Sequence, residues 1–183
     1  MELMEALRTR RAVREFTHAP VEGPVIEALV AAAILAPSAM NLQPWAFAVV
    51  PGTARLRAFS DPIKQQVAAH LPADSPLAGH LADPRFEIFH GAPVLVVVCA
   101  TDGGSQSAED CCLAGESLML AAHARGLGTC WIGLARPWLN LPAVKAELGI
   151  PAGLVPVAPI VVGHPQGRTA ATARNDARIV WCR

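Results

Sequence analysis

Three basic side chains lie close together near the start of this 183-residue chain. Arg10, Arg11 and Arg14 fall within five residues, and their guanidinium groups repel one another unless an anion or acidic side chains lie among them. A phosphate would hold them together through charge-assisted, bidentate hydrogen bonds. A solvated basic patch is the alternative interpretation, and the spacing alone favours it.

A second segment, residues 36–45 (APSAMNLQPW), joins an apolar run to a tryptophan that opens a predicted strand. Its prolines frame Ser38, Asn41 and Gln43. Amide side chains offer both donors and acceptors, which suits the edge of a heterocycle with alternating C=O and N–H groups. The alternative is a plain helix-to-strand connector in which Asn and Gln cap the ends.

The third segment is Gly126–Gly133 (GLGTCWIG). A glycine at position 133 would let a planar ligand approach the backbone closely. The alternative is a tight turn around a buried Trp131. The glycines follow a predicted helix and precede a strand, whereas a dinucleotide fingerprint needs a strand, then the glycines, then a helix.

Other chemistries lack the residues that they need. The chain has no GxxxxGK[ST], HExxH or GxSxG motif, and its six histidines are scattered without metal-ligand spacing. We expect no metal site. Cys111 and Cys112 could hold a reactive thiolate at a helix start, but no histidine partner is visible, so the unreactive interpretation is favoured. Asp83, Glu87 and His90 are interpreted as solvated.

Composition excludes several classes of protein. Fifteen basic and fifteen acidic side chains cancel, which argues against a nucleic-acid binder. Only 16% of residues are charged while 52% are hydrophobic. Either a partner subunit covers much of the surface, or the exposed surface carries few charged side chains. Five cysteines without a CxxC favour a reducing compartment. Without a signal sequence or a membrane-length apolar run, we expect a cytoplasmic location and no membrane.

Hydrophobic patterning predicts a single domain in which strands and helices alternate after two initial helices. The pattern predicts helices over residues 2–10, 25–36, 54–71 with a break near 61–62, 107–125 opened by a Ser107/Asp110 capping box, and a brief one from an Asn140 cap to Gly149. It predicts strands over residues 46–50, 93–100, 129–132 and 155–162, the last made irregular by Pro156 and Pro159. This order indicates an α/β or α+β sandwich with a mixed sheet.

Taken together, these segments resemble the FMN-dependent nitroreductase family. The marks are RRxxR, then APSxxNxQPW about one helix later, the GLGTCWIG strand, and GHP with a later arginine, and they extend from Leu3 to Trp181. The resemblance implies an α+β, nitroreductase-like three-layer sandwich, with a mixed central sheet flanked by helices. It also implies an intertwined homodimer with FMN at the subunit interface. Residues 1–183 would form one FMN-binding domain, with 72–87 as a loop or lid insertion.

The resemblance also assigns cofactor-binding residues. Arg10, Arg11 and Arg14, joined by Arg174, would bind the FMN phosphate. The family usually has Ser or Thr at the position of Ala12, so only the backbone of Ala12 would contribute and weaker binding is expected.

The remaining assignments concern the flavin ring. Lys64 would lie near flavin N1 and O2, and the backbone of Ile132 and Gly133 near N5. The loop that reaches the flavin from the other subunit would supply Pro37, Ser38, Ala39 and Asn41, with Gln43 near by.

The implied activity is ping-pong, two-electron reduction of nitroaromatic or quinone-like acceptors by NADH or NADPH. No side chain need be a catalytic acid or base, because the cofactor carries the chemistry. Three alternatives stay open: a family member that acts on a specialised substrate without NAD(P)H, a non-catalytic flavin-binding or flavin-sensing protein, and a cofactor-free dimer with a degenerate site.

Overall fold

The two most apolar strands of the chain lie side by side at the centre of a single sheet. The computed structural model describes residues 1–72 and 74–182. The strands are β1 (Trp45–Pro51), β2 (Val94–Ala100), β3 (Gly128–Trp131) and β4 (Val155–Gly163). Their order across the sheet is β1-β2-β4-β3, and each neighbouring pair is antiparallel.

Helices cover both faces of this sheet. They are α1 (Leu3–Thr9), α2 (Gly23–Ala33), α3 (Thr53–Ala58), α4 (Ser60–Ala68), α5 (Leu77–Ala82), α6 (Ser105–Ala124), α7 (Arg136–Leu139) and α8 (Pro142–Leu148). Alternate β2 side chains point to opposite faces. Val96 and Val98 pack with α2 and α6, whereas Leu95 and Val97 pack with α3, α4, α7 and α8. The result is the three-layer α+β sandwich expected from the sequence.

The parallel component of the predicted mixed sheet is small. Within residues 1–72 and 74–182, the one parallel pairing is an isolated bridge between Ala12 and Thr129. The predicted irregularity of β4 is confirmed. Val98 pairs with Ala158 but Cys99 pairs with Pro156, so Val157 is an extra residue that forms a bulge.

The predicted helix 54–71 is divided, as expected, but the division falls at Phe59 rather than at 61–62. Pro62 instead lies in the first turn of α4, where a missing N–H removes no intrahelical bond. The segment predicted as a loop or lid, 72–87, contains the short helix α5. Residue 73 of that segment lies outside the described residues.

Both predicted side-chain caps are wrong. Helix α6 begins at Ser105, because Asp102 accepts the Gly104 N–H at 2.7 Å and starts the turn early. Ser107 therefore donates to Asp102 at 2.8 Å instead of capping the helix. Asn140 does not begin α8, whose N-cap is Leu141. It is instead the C-cap of α7, and its amide donates to the carbonyl oxygens of Arg136 at 2.8 Å and Pro156 at 2.9 Å.

Two bare glycines attach the chain's N-terminal segment to the sheet. Gly128 and Gly163 are register partners in β3 and β4. A Cβ on Gly128 would lie 2.8 Å from the Val13 side chain, and one on Gly163 would lie 2.7 Å from Phe16. The Val13 N–H donates to the Thr129 oxygen at 2.9 Å, which holds the segment in this position. Residues 12–16 can thus lie against the sheet because Gly128 and Gly163 carry no side chains beneath them.

We expect Gly128→Ala to lower the unfolding free energy by about 1–3 kcal/mol, because the added methyl overpacks against Val13. Adding Val13→Ala should recover part of the loss, so the two changes should be non-additive by more than about 0.5 kcal/mol in a denaturant-unfolding cycle. Gly23→Ala, at a position with no atom within 4 Å of the added carbon, is the control. Strict additivity would contradict this account of the contact.

Candidate functional site

The structure brings the four arginines assigned to a phosphate into one cavity. Residues 10–14 are extended rather than helical beyond α1, so Arg10 and Arg14 do not share a helix face. The cavity, here called the arginine cavity, has a volume of about 260 Å³. It is lined by Arg10, Arg11, Ala12, Arg14, Thr169, Thr172 and Arg174.

Protein groups satisfy these guanidinium groups only in part. Arg10 Nε lies 3.3 Å from Glu116 Oε1, the one ion pair that these arginines form among the described residues. Arg11 Nη1 donates to the carbonyl oxygens of Arg8 and Arg10 at 2.7 Å, while its buried Nε has no partner within the described chain. An orphaned buried donor among several cations is the arrangement that an anion completes.

A second, larger cavity adjoins the first at Arg14. This cavity, here called the Gly133 cavity, has a volume of about 470 Å³. It is lined by Arg14, Leu77, His80, Phe86, Ile88, His90, Cys130, Trp131, Ile132, Gly133 and Leu134. Because Arg14 lines both cavities, one ligand with an anionic end and a planar end could extend from one to the other.

Neither the backbone conformation nor packing against other protein atoms requires a glycine at position 133. Its φ is not positive, and no atom lies within 4 Å of a Cβ built on it. Its N–H donates to no acceptor among residues 1–72 and 74–182, whereas the Ile132 N–H already donates to Pro159 at 2.8 Å. Of the two predicted backbone contacts, Gly133 alone has a free N–H to offer a planar ligand.

The 36–45 loop lies away from both cavities of its own chain. It forms a 3-10 turn at Ala39–Asn41, with positive φ at Met40, Asn41 and Gln43. Ser38 Oγ accepts the Gln43 N–H at 2.9 Å, and Gln43 Nε2 donates to Asn41 at 3.2 Å. Asp110 accepts the Ala39 N–H at about 3.2 Å.

Pro37, Asn41 and Gln43 are exposed, and Ser38 and Ala39 are half-buried. One protomer alone therefore does not bring these five side chains to the arginines. That the loop reaches a flavin from a second subunit stays a prediction.

Lys64 does not line the Gly133 cavity. Its ammonium donates to the Asp83 carbonyl at 3.2 Å and lies 3.8 Å from Asp61. It lines a separate cavity of about 320 Å³ between α4 and α5. Its Nζ is 5.8 Å from the ring centroid of Phe86, which lines the Gly133 cavity. Lys64 thus lies near a residue of the cavity wall without lining the cavity, and direct contact with N1 or O2 stays a prediction.

Sequence reasoning missed three residues that wall the Gly133 cavity, namely His80, Phe86 and His90. The interpretation of His90 as solvated is wrong: it is half-buried, with φ +55°. Burial, and secondarily the charge of Arg14, lower its pKa below the ordinary value. The signal available was the aromatic pair 86 and 90 immediately before a buried strand.

Asp83 and Glu87 form ion pairs, and the Cys111 thiol is buried. Glu87 binds Arg57 at 2.6 Å and Asp83 binds Arg85 at 3.2 Å, so neither is simply solvated. Burial raises the pKa of the Cys111 thiol to about 12, which agrees with the unreactive interpretation. In the part of the chain that the structure describes, no three His, Cys, Asp or Glu side chains group as a metal site would require.

Comparison with known proteins agrees with this geometry. The sequence model of the Nitroreductase family matches residues 7–164. This chain belongs to the nitroreductase family. It is therefore a flavin-dependent oxidoreductase by class. None of the helices within residues 1–72 and 74–182 is both long and apolar enough to cross a membrane.

Individual relatives are of two kinds. An Archaeoglobus fulgidus protein, provisionally named an NADH dehydrogenase/NAD(P)H nitroreductase, is 30% identical over 165 residues, 90% of this chain and 86% of its own. A Rhodospirillum rubrum 5,6-dimethylbenzimidazole synthase is 33% identical over 170 residues, 86% of this chain and 79% of its own. The crystal structure of a Bacteroides fragilis nitroreductase with bound FMN superposes over 100% of both chains, with a TM-score of 0.85 at 24% identity.

Proposed function

We propose that this nitroreductase-family chain binds FMN across the two adjoining cavities and uses it for NAD(P)H-dependent, two-electron reduction of nitroaromatic or quinone-like acceptors. The observation that carries the proposal is the convergence of four arginines, one with an orphaned buried Nε, on a cavity that shares Arg14 with the Gly133 cavity.

The residues present fit the cofactor at both ends. Arg10, Arg11, Arg14 and Arg174 supply donors for a dianionic phosphate, and the open space in front of Gly133 accepts a flat ring. Ala12 offers the phosphate no hydroxyl, so the phosphate relies on the arginines and on backbone.

When bound, FMN supplies the redox chemistry, and the protein supplies binding, orientation and electrostatics. Arg14 lines both cavities, so it would bind the FMN phosphate close to the cavity in which the flavin ring would lie. Gly133 offers a free backbone N–H where the ring would lie. The walls of the Gly133 cavity keep the ring's surroundings partly apolar, which limits access of water.

A second copy of the chain would complete the site. Leu35 is 82% exposed, Met40 92% and Leu42 68%. Monomeric proteins rarely expose several large apolar side chains so close together. We propose a homodimer in which the loop carrying Pro37, Ser38, Ala39, Asn41 and Gln43 covers the partner's flavin. Trp181, 84% exposed in the C-terminal tail, would be a further contact for the partner subunit.

The segment 72–87 is proposed to act as a wall over the flavin and its substrate. Leu77, His80 and Phe86 of this segment line the Gly133 cavity opposite β3. They come from α5 and the turn after it, which pack on α4 through the Asp83 carbonyl and Lys64.

A specialised flavoprotein reaction without NAD(P)H is the second candidate. The observation that favours it is the 33% identity to a relative named a synthase rather than a reductase. The two candidates differ in how the bound flavin responds to reduced nicotinamide.

The deciding experiment is anaerobic addition of NADH or NADPH to the purified, FMN-loaded protein, followed by absorbance. Bleaching of the flavin band within seconds, and its return on adding a quinone, is the expected result. A flavin that stays oxidised with both nicotinamides would rule out the reductase and favour the specialised reaction.

Arg14→Ala should weaken FMN binding about 10- to 150-fold, since it removes a charge-assisted contact of about 1.5–3 kcal/mol. Flavin fluorescence titration of the apoprotein measures the effect. Arg125→Ala, which removes an exposed arginine at the end of α6, should leave the affinity unchanged. Equal affinities for the two variants would remove Arg14 from the site.

Gly133→Ala should leave the unfolding free energy of the apoprotein within about 0.5 kcal/mol of the wild type, because its methyl meets no protein atom. The same methyl occupies the proposed ring position, so FMN affinity should fall about tenfold or more. A variant that binds FMN normally would show that the ring does not lie against Gly133.

A further inference from the structure

Asp110, in the second turn of α6, is the most deeply buried charged side chain among the described residues, with 2% of its surface exposed. It lines neither the arginine cavity nor the Gly133 cavity. Within residues 1–72 and 74–182 it forms no ion pair. Because a buried carboxylate without a cation is destabilising, its presence calls for a role that its hydrogen bonds can identify.

The main partner of this carboxylate is the loop at residues 36–45. Both Asp110 oxygens accept the Ala39 N–H, at 3.2 and 3.3 Å, and Oδ1 also accepts an N–H of the Gln106 amide at 3.3 Å. Ala39 lies 71 residues away along the chain and begins the 3-10 turn of the loop. Asp110 therefore attaches the start of this turn to α6.

The residue next to Asp110 attaches the other end of the loop. The Cys111 thiol donates to the Pro44 carbonyl oxygen at 3.7 Å, and the Thr101 N–H donates to the same oxygen at 3.1 Å. Between the two attachments lie residues 40–43, here called the loop tip, all four of which are exposed. The loop tip is thus presented outward by two contacts with the same turn of α6.

The backbone of the loop tip is strained. The φ angle is +51° at Met40, +55° at Asn41 and +50° at Gln43, a left-handed conformation that side chains with a Cβ disfavour. The hydrogen bonds of Gln43 to Ser38 and Asn41 are exposed to water. Since strained backbone persists only where surrounding contacts fix it, the buried contact at Asp110 is the one that stabilises this conformation.

We propose that Asp110 is a positioning residue for the flavin site of the other subunit. The proposal deepens the proposed function and rests on it, because there the same loop covers the partner's flavin. Asp110 acts through the Ala39 N–H, which it holds in the orientation that presents Asn41. Without this acceptor the Ala39 N–H can bond to water, and the loop tip relaxes into other conformations. FMN affinity then falls with the fraction of loops that keep the binding conformation.

Three single variants measure the effect in a flavin fluorescence titration of the apoprotein. Asp110→Ala should lower FMN affinity about fivefold or more, because it removes the acceptor. Glu109→Ala, which removes the neighbouring exposed acid, should leave the affinity unchanged. Asp110→Asn should keep it to within about twofold, because the amide oxygen still accepts the Ala39 N–H and the Gln106 amide can rotate to accept the new N–H.

Two results of these titrations would overturn the proposal. One is wild-type affinity in Asp110→Ala. The other is a loss of about fivefold or more in Asp110→Asn, which keeps both volume and acceptor. The second result decides the matter if Asp110→Ala does not fold.

Hybrid dimers test whether Asp110 acts on the partner subunit. Two differently tagged subunits are co-expressed, dimers that carry both tags are isolated, and sites of wild-type FMN affinity are counted by titration. With Arg14→Ala on one subunit and Asp110→Ala on the other, both defects fall on one site, so one normal site per dimer is expected. With both substitutions on one subunit and a wild-type partner, the defects fall on different sites, so no normal site is expected.

A structural defect that stays within its own subunit gives the opposite counts. The separated substitutions would then leave no normal site, and the combined substitutions would leave one. That result would overturn the proposal, because Asp110 would act on the flavin of its own subunit.

These outcomes are separable from the proposed function. If Arg14→Ala weakens FMN binding and Asp110→Ala does not, the positioning role alone is overturned. If the hybrid dimers give the expected counts but neither nicotinamide bleaches the flavin, the reductase is overturned and the positioning role is supported. A wild-type protein that sediments as a monomer when loaded with FMN would overturn both the shared site and the positioning role.

Discussion

The packing of Val13 and Phe16 onto two bare glycines is the constraint on which the site depends. Gly128 and Gly163 face one another across β3 and β4, and each would clash with the N-terminal segment if it carried a methyl. The Ala12–Thr129 bridge then aligns residues 10–14 with β3. Because β3 leads directly into Ile132 and Gly133, this contact brings the arginines and the open backbone into one site.

In the proposed function the chain needs no catalytic acid or base of its own, because FMN would supply the redox chemistry. Positive charge is concentrated where a phosphate would lie, and partly apolar walls surround the place of the ring. Most acidic side chains near the site form ion pairs with arginines that do not line it, as Glu87 does with Arg57. The protein's contribution is electrostatic and geometric, which explains why motif searches for nucleophiles and metal ligands find nothing.

Local patterns predicted the strands, most helix positions and the arginine cluster, because periodicity and charge spacing are visible along the chain. Contacts that depend on tertiary structure were not predictable in this way. The sequence predicts that Ser107 and Asn140 cap the starts of helices. In the structure, Ser107 instead donates to Asp102 and Asn140 donates to the Pro156 carbonyl. The sequence pattern predicts a solvated His90, because the residues that bury it belong to α5 and β3, which lie near it only after folding.

The measurement that tests the central claim most directly is the affinity of the apoprotein for FMN relative to riboflavin, which lacks only the phosphate. If β3 holds the arginines in position for a phosphate while the ring lies at Gly133, FMN should bind about 100-fold or more tightly, the effect of two or more charge-assisted hydrogen bonds. Equal affinity for the two flavins would contradict the account, because the four arginines would then have no part in binding.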